Sequence, residues 1–321
     1  MAQPRADNCG GRFRPHSREN QVTVPVPRHA ATDTTAKLML VALSFCWGLT
    51  WPAMRIALVD LPPFTMRAMS SGIGAISLIV LARLAGRPVG VPASSKWFDI
   101  VVVAFFNVIV FGLCTAFAQM MAYTGRVAIL VYTMPIWATL LARVFLHELL
   151  TPVRLFALAL CCGGMAVLIY PLAHDGIPFG LVLALIAAVG WAIGTIYMKW
   201  RRLDIEPFTL AAWQIVLACA FMMAFIPFFE PTFRPWHAGW YSLAGVAFSG
   251  LFGSGLAYFI WFHIMRLLPA TTASLGALAS PVIGLVSSIF LLGEVPTTTD
   301  VVGFTLIFAA SACALIQPTR G

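Results

Sequence analysis

The stretch Trp47-Gly-Leu-Thr-Trp-Pro-Ala-Met-Arg55 decides the fold, because it returns 144 residues later as Trp191-Ala-Ile-Gly-Thr-Ile-Tyr-Met-Lys199. At the same offset Pro63-Phe64-Thr65 recurs as Pro207-Phe208-Thr209. Further along, Pro135 precedes Glu148 by thirteen residues and Pro281 precedes Glu294 by thirteen, now at an offset of 146. A small insertion between two related halves accounts for the drift. Self-similarity of this kind marks a duplicated architecture.

Both copies of the motif lie inside apolar runs. The chain is 60% hydrophobic and 10% charged, with mean hydropathy +0.89. A soluble domain carries about 25% charged residues, so lipid is the solvent for most of this one. Ten runs approach the length of about 20 residues that a helix needs to cross the hydrocarbon. They cover 38–58, 63–85, 98–121, 126–146, 152–171, 178–200, 207–229, 240–262, 270–292 and 298–317. Connectors as short as Asp60-Leu61-Pro62 make consecutive spans antiparallel neighbours. The reading is an all-α membrane protein of ten transmembrane helices, with a first five-helix repeat over 37–172 and a second over 173–321. Residues 1–36, rich in polar residues and without apolar periodicity, are expected to form a disordered cytoplasmic tail. Asp7, Glu19 and Asp33 argue against a transit peptide there.

The net charge of +8 does not point to nucleic acid, since the bases are scattered singly between apolar runs. Their placement reads instead as an orientation signal. With the amino terminus in the cytoplasm, sixteen Lys and Arg fall on the inner side and four on the outer: Arg55, Arg67, Arg126 and Arg234. Both termini are therefore expected inside. Five is odd, so the second half enters the membrane with opposite orientation and the repeats are inverted, as in many transporters.

Six of the seven cysteines, Cys46, Cys114, Cys161, Cys162, Cys219 and Cys313, lie in apolar runs with no metal spacing, and no cofactor or metal is expected. An intramembrane enzyme would need His, Asp, Glu or Cys clusters within the spans, and none is visible. Gly250, Gly253 and Gly255 follow no strand, so they are not a nucleotide loop.

Pro135 and Pro281 fall within spans 4 and 9 at equivalent places. Each removes a backbone donor, and paired interruptions point to a midplane site, although a packing kink is the alternative. Trp47 and Trp51 share a helical face and Trp191 is the mate of Trp47. They form either an aromatic wall for a substrate or ordinary packing, as do Tyr132 and Tyr258. Arg67, about a turn into span 2, either snorkels to the headgroups or offers its fixed charge to a carboxylate or phosphate. Asn107 and Gln214 are amides in hydrocarbon that must find substrate or interhelical partners. Glu148 and Glu294 stand at span ends, where ordering a gate suits them better than binding. No carboxylate lies near the bilayer centre, so coupling to protons would fall to His263 or a terminal Glu, and a facilitator or exchanger fits better.

The order of these motifs resembles the drug/metabolite transporter superfamily in its ten-span EamA-type branch. The resemblance covers roughly 38–317. It is carried by Trp47-Gly48, by Tyr132-Thr-Met-Pro135 through to Glu148, and by Ala273-Ser-Leu-Gly to Pro281 and Gly293-Glu294. It implies a central cavity between the halves, which brings Ser274 among the candidate substrate contacts, and export of amino acids or related metabolites. Arg67 lies closer to Pro63 than the family's early arginine does, and Ala157 stands where the second half has Gly303. The expected function is a secondary exporter of small metabolites working by alternating access in a bacterial inner membrane. The lipid bilayer and a metabolite are its partners, with homodimerisation left open. A membrane scaffold or sensor is the alternative, for which a larger soluble part than the tail would be expected.

Overall fold

The computed structural model describes residues 30–147, 150–170, 178–232, 238–267 and 279–316. Every regular element among them is helical. The helices are α1 (Ala30–Ala57), α2 (Pro63–Leu84), α3 (Ser94–Met121), α4 (Thr124–Phe145), α5 (Pro152–Ile169), α6 (Phe179–Trp200), α7 (Pro207–Phe229), α8 (residues 240–267), α9 (Ala279–Leu292) and α10 (Thr298–Ile316). Seven are long and apolar enough to cross a membrane. Stretches of α5, α9 and α10 are shorter apolar helices among the described residues. The expected span at 270–292 falls partly on residues 268–278, outside the described residues.

Several boundaries differ from the sequence reading, among them the start of α3, four residues earlier than expected, and the end of α8, five residues later. α1 begins at Ala30, seven residues inside the expected tail. Once the apolar run has nucleated a helix, good helix formers such as Ala30, Ala31 and Ala36 extend it at little cost beyond the lipid-compatible part. α4 is not continuous: Thr124–Val131 and Met134–Phe145 are separated by a turn at Tyr132 and Thr133. Pro135 has no N–H for the Val131 carbonyl, and the helix restarts around it with Pro in the first turn.

Helix pairings recur with partners exchanged between the halves. α1 packs on α8 and α9, while α6 packs on α3 and α4. α2 packs on α8 and α7 on α3, and α2 with α7 and α5 with α10 close the set. Small residues permit the close approaches. A methyl on Gly164 would stand 2.8 Å from Ile307 Cγ1, and one on Gly303 would stand 2.5 Å from Leu168 Cγ, which locks α5 to α10.

Two π-helical stretches, Phe105–Val110 in α3 and Ser249–Leu256 in α8, begin 144 residues apart, the offset of the sequence repeat. Each inserts an extra residue per turn, a feature often found at functional sites. Both face the motif that defines the duplication. The stretch in α3 presents Asn107 to Gly194 of α6, and the stretch in α8 presents Gly253 to Thr50 of α1.

Candidate functional site

Arg67 carries a cation into the helical interior. It lies one turn into α2 and turns inward rather than towards the helix end. Nη2 donates to Thr115 Oγ1 of α3 at 2.6 Å and lies 2.6 Å from Met54 Sδ of α1. Nε is buried without a partner. Space for it comes from Gly112, where a methyl would stand 3.6 Å from Nε. No carboxylate among the described residues pairs with this guanidinium. Asp300 forms an ion pair with Arg126 and Asp99 with Arg201, both at helix ends.

One turn beyond Thr115 on the same face of α3 is Gln119. Both are fully buried. Gln119 Nε2 donates to the Trp51 carbonyl at 3.2 Å, and its Oε1 is buried without a partner. The Trp51 ring, 7% exposed, lies 6.4 Å from the Tyr132 ring and against Gly284 of α9. Thus Arg67, Trp51 and Tyr132 converge with Thr115, Gln119 and Met54 where α1, α2, α3, the break in α4 and α9 meet. Sequence reading passed over Thr115 and Gln119. The available signal was two polar residues four apart in the most apolar span, mean hydropathy 2.6.

Other candidates lie elsewhere. Trp47 packs on Trp261 at 5.5 Å, in a cluster formed with α8. Tyr258 joins Phe262 and the cluster about Phe208. Asn107 is buried against α6 with Oδ1 unpartnered, Gln214 is buried in α7, and Trp191 is half-buried in α6. Pro281 is in the first turn of α9 as described. Ser274 and Glu148 lie outside the described residues.

Acidic side chains tie the helix ends. Glu294, just past α9, accepts from Thr124 N at 2.5 Å and Gly125 N at 2.8 Å, capping α4 from another helix. Glu230 does the same for α2 through Phe64 N at 2.7 Å and Thr65 N at 2.8 Å. Arg126 binds Asp300 through Nε at 2.6 Å and Nη2 at 3.0 Å, joining α4 to α10. A cleft of about 330 Å³ opens at this end between Arg55, Met120, Tyr123, Arg126, Leu181 and Glu294. Arg55 Nη1 also donates to the Gln119 carbonyl. At the opposite end Asp99 accepts from Tyr197 Oη at 2.7 Å and Arg201 Nε at 3.0 Å, which pushes the Arg201 guanidinium above its ordinary value.

The EamA-like transporter family model matches the chain twice, over residues 34–170 and 178–316. An uncharacterized transporter of Bacillus subtilis, YoaV, is 25% identical over 278 residues, covering 84% of this chain and 93% of that protein. The uncharacterized inner membrane transporter YedA of Escherichia coli is 24% identical over 265 residues, 79% of this chain and 82% of its own. A solved crystal structure shares the fold with a TM-score of 0.62 at 20% identity, over 88% of this chain and 96% of the other.

Proposed function

The chain belongs to the EamA-like transporter family, and from that premise we propose that it is a secondary transporter of small metabolites with its substrate site at Arg67, Trp51 and Tyr132. It is an integral membrane protein, a transporter rather than an enzyme. The observation that carries the site is the Arg67 guanidinium, held among α1, α2 and α3 with one donor unpartnered. Charged groups inside a bundle are costly, and a cation without a counter-ion suits a ligand that brings one. The Trp51–Tyr132 pair, tied to the same stretch of α3 through Gln119, is assigned as an apolar wall for the remainder of the substrate.

In this reading the ten helices span the membrane as two inverted five-helix repeats, with both termini cytoplasmic. The repeats rock about the site, breaking and remaking the helix-end contacts of Glu294, and Glu148 is assigned the gate role in the other repeat from the sequence repeat alone. Pro135 and Pro281 allow α4 and α9 to flex. The exchange of helix pairings between the halves and the π stretches 144 residues apart support it. Export of amino acids or similar metabolites is the direction we assign, from the family resemblance. Counterflow in liposomes containing the purified, folded chain tests the proposal. Saturable exchange of at least one metabolite is expected, and absence of it across a broad panel of amino acids, organic acids and amines would sink the idea.

A further inference from the structure

We propose that Gln119 is the second arm of the Arg67 site, its Oε1 accepting a hydrogen bond from an N–H or O–H on the substrate while Arg67 Nε donates to a carboxylate. The inference deepens the transport reading above and rests on it.

Two buried polar atoms of opposite kind lie unpartnered in one wedge of the bundle: a donor, Arg67 Nε, and an acceptor, Gln119 Oε1. Such atoms are expensive in an interior, and more so where surrounding lipid supplies no water. They share neighbours. Thr115, which receives Arg67 Nη2, is four residues before Gln119 on α3. Met54, which also receives Nη2, is three residues after Trp51, whose carbonyl receives Gln119 Nε2. A rise of about 6 Å separates Thr115 from Gln119 along the helix. The amide orientation is fixed by chemistry, since the Trp51 carbonyl accepts only a donor and Oε1 must therefore face away from it.

Neither orphan satisfies the other, so each is open to a third group. A carboxylate carrying an amino or hydroxyl group on the next carbon presents an acceptor for the one and a donor for the other. Part of the existing bonding is weak enough to be displaced, since Met54 sulfur is a poor acceptor for a guanidinium. Arg55, which lines the cleft at the helix ends, bonds the main chain of Gln119.

The test uses the full chain in liposomes and counterflow of amino acids, each compared with its deaminated carboxylate and its amide. Wild-type protein is expected to prefer the amino acid over the deaminated carboxylate by about tenfold, the worth of one charge-assisted hydrogen bond. Gln119→Met, close in length, should remove that preference while flux of the plain carboxylate persists. Gln119→Glu, which leaves the Trp51 carbonyl without its donor and sets a carboxylate beside Arg67, should lose both carboxylate substrates while flux of the amide persists. Should Gln119→Met fail to fold, the wild-type preference and the Gln119→Glu result decide the matter between them. A wild-type protein indifferent to the amine, or Gln119→Met lowering all fluxes equally with the preference intact, overturns the assignment. That pattern is the one expected if a water alone satisfies Oε1. Flux of nothing at all would overturn the transport reading instead.

Discussion

Thr115 Oγ1 lies 2.6 Å from Arg67 Nη2, and the same hydroxyl donates to the Phe111 carbonyl at 2.7 Å. Thr115 is therefore a relay between the guanidinium and the α3 backbone. A lysine at position 67 could reach the hydroxyl as a point charge but could not hold it while offering a second, fixed donor to a ligand.

Arg67→Lys accordingly tests the fork rather than the charge. Counterflow of carboxylate substrates should fall by about tenfold, or about 1.4 kcal/mol, with neutral substrates much less affected. Equal losses for both classes would remove Arg67 from the site.

Gly194 of α6 lets Asn107 of α3 close against it, and a methyl there would stand 2.6 Å from Asn107 Cγ. Gly194→Ala should destabilise the chain by about 1–3 kcal/mol, the usual cost of overpacking. Thermal unfolding in detergent would show it. Asn107→Ala in the same chain should recover most of the loss, and no recovery would mean that another contact is responsible.

The Glu294 cap on Thr124 and Gly125 joins α9 to the start of α4. Glu294→Ala should cost about 1 kcal/mol, as loss of a helix cap does. Hydrogen exchange at those two amides should rise by roughly fivefold on the same estimate. Unchanged exchange would show that the contact is not holding the end closed.

Trp51 and Trp47 share a face of α1 yet have different surroundings, Tyr132 and Gly284 for the first and Trp261 for the second. Trp51→Ala should raise the half-saturation constant for transport by about fivefold, within the range for an aromatic contact. Trp47→Ala should lower thermal stability and leave that constant near wild type. Reversal of the two effects would move the aromatic wall to the α1–α8 cluster.

Helix positions were legible in the sequence because an apolar run of this length has few alternatives in lipid, where the backbone must bond within its own segment. Pro135 was legible as an interruption for a related reason: a missing N–H acts on its own helix wherever that helix packs. The direction in which Arg67 turns was not legible. Snorkelling outwards and turning inwards are both open to a long side chain one turn from a helix end, and the choice rests on Gly112 and Thr115 arriving from α3. Thr115 and Gln119 looked like tolerable polar residues in an apolar span until α1 and α2 were placed beside them. Likewise the π stretches have no proline or motif to announce them, since the winding answers to what α6 and α1 present across the interface.

By itself the sequence determined the helical class, the repeat and the membrane setting, because hydropathy, periodicity and duplication are local or self-referential properties of a chain. Only the tertiary structure decided which polar groups meet. A hydrogen bond depends on distances of a few ångströms between helices that are about 50 residues apart along the chain, as Arg67 and Thr115 are, and no pattern within either helix fixes that separation.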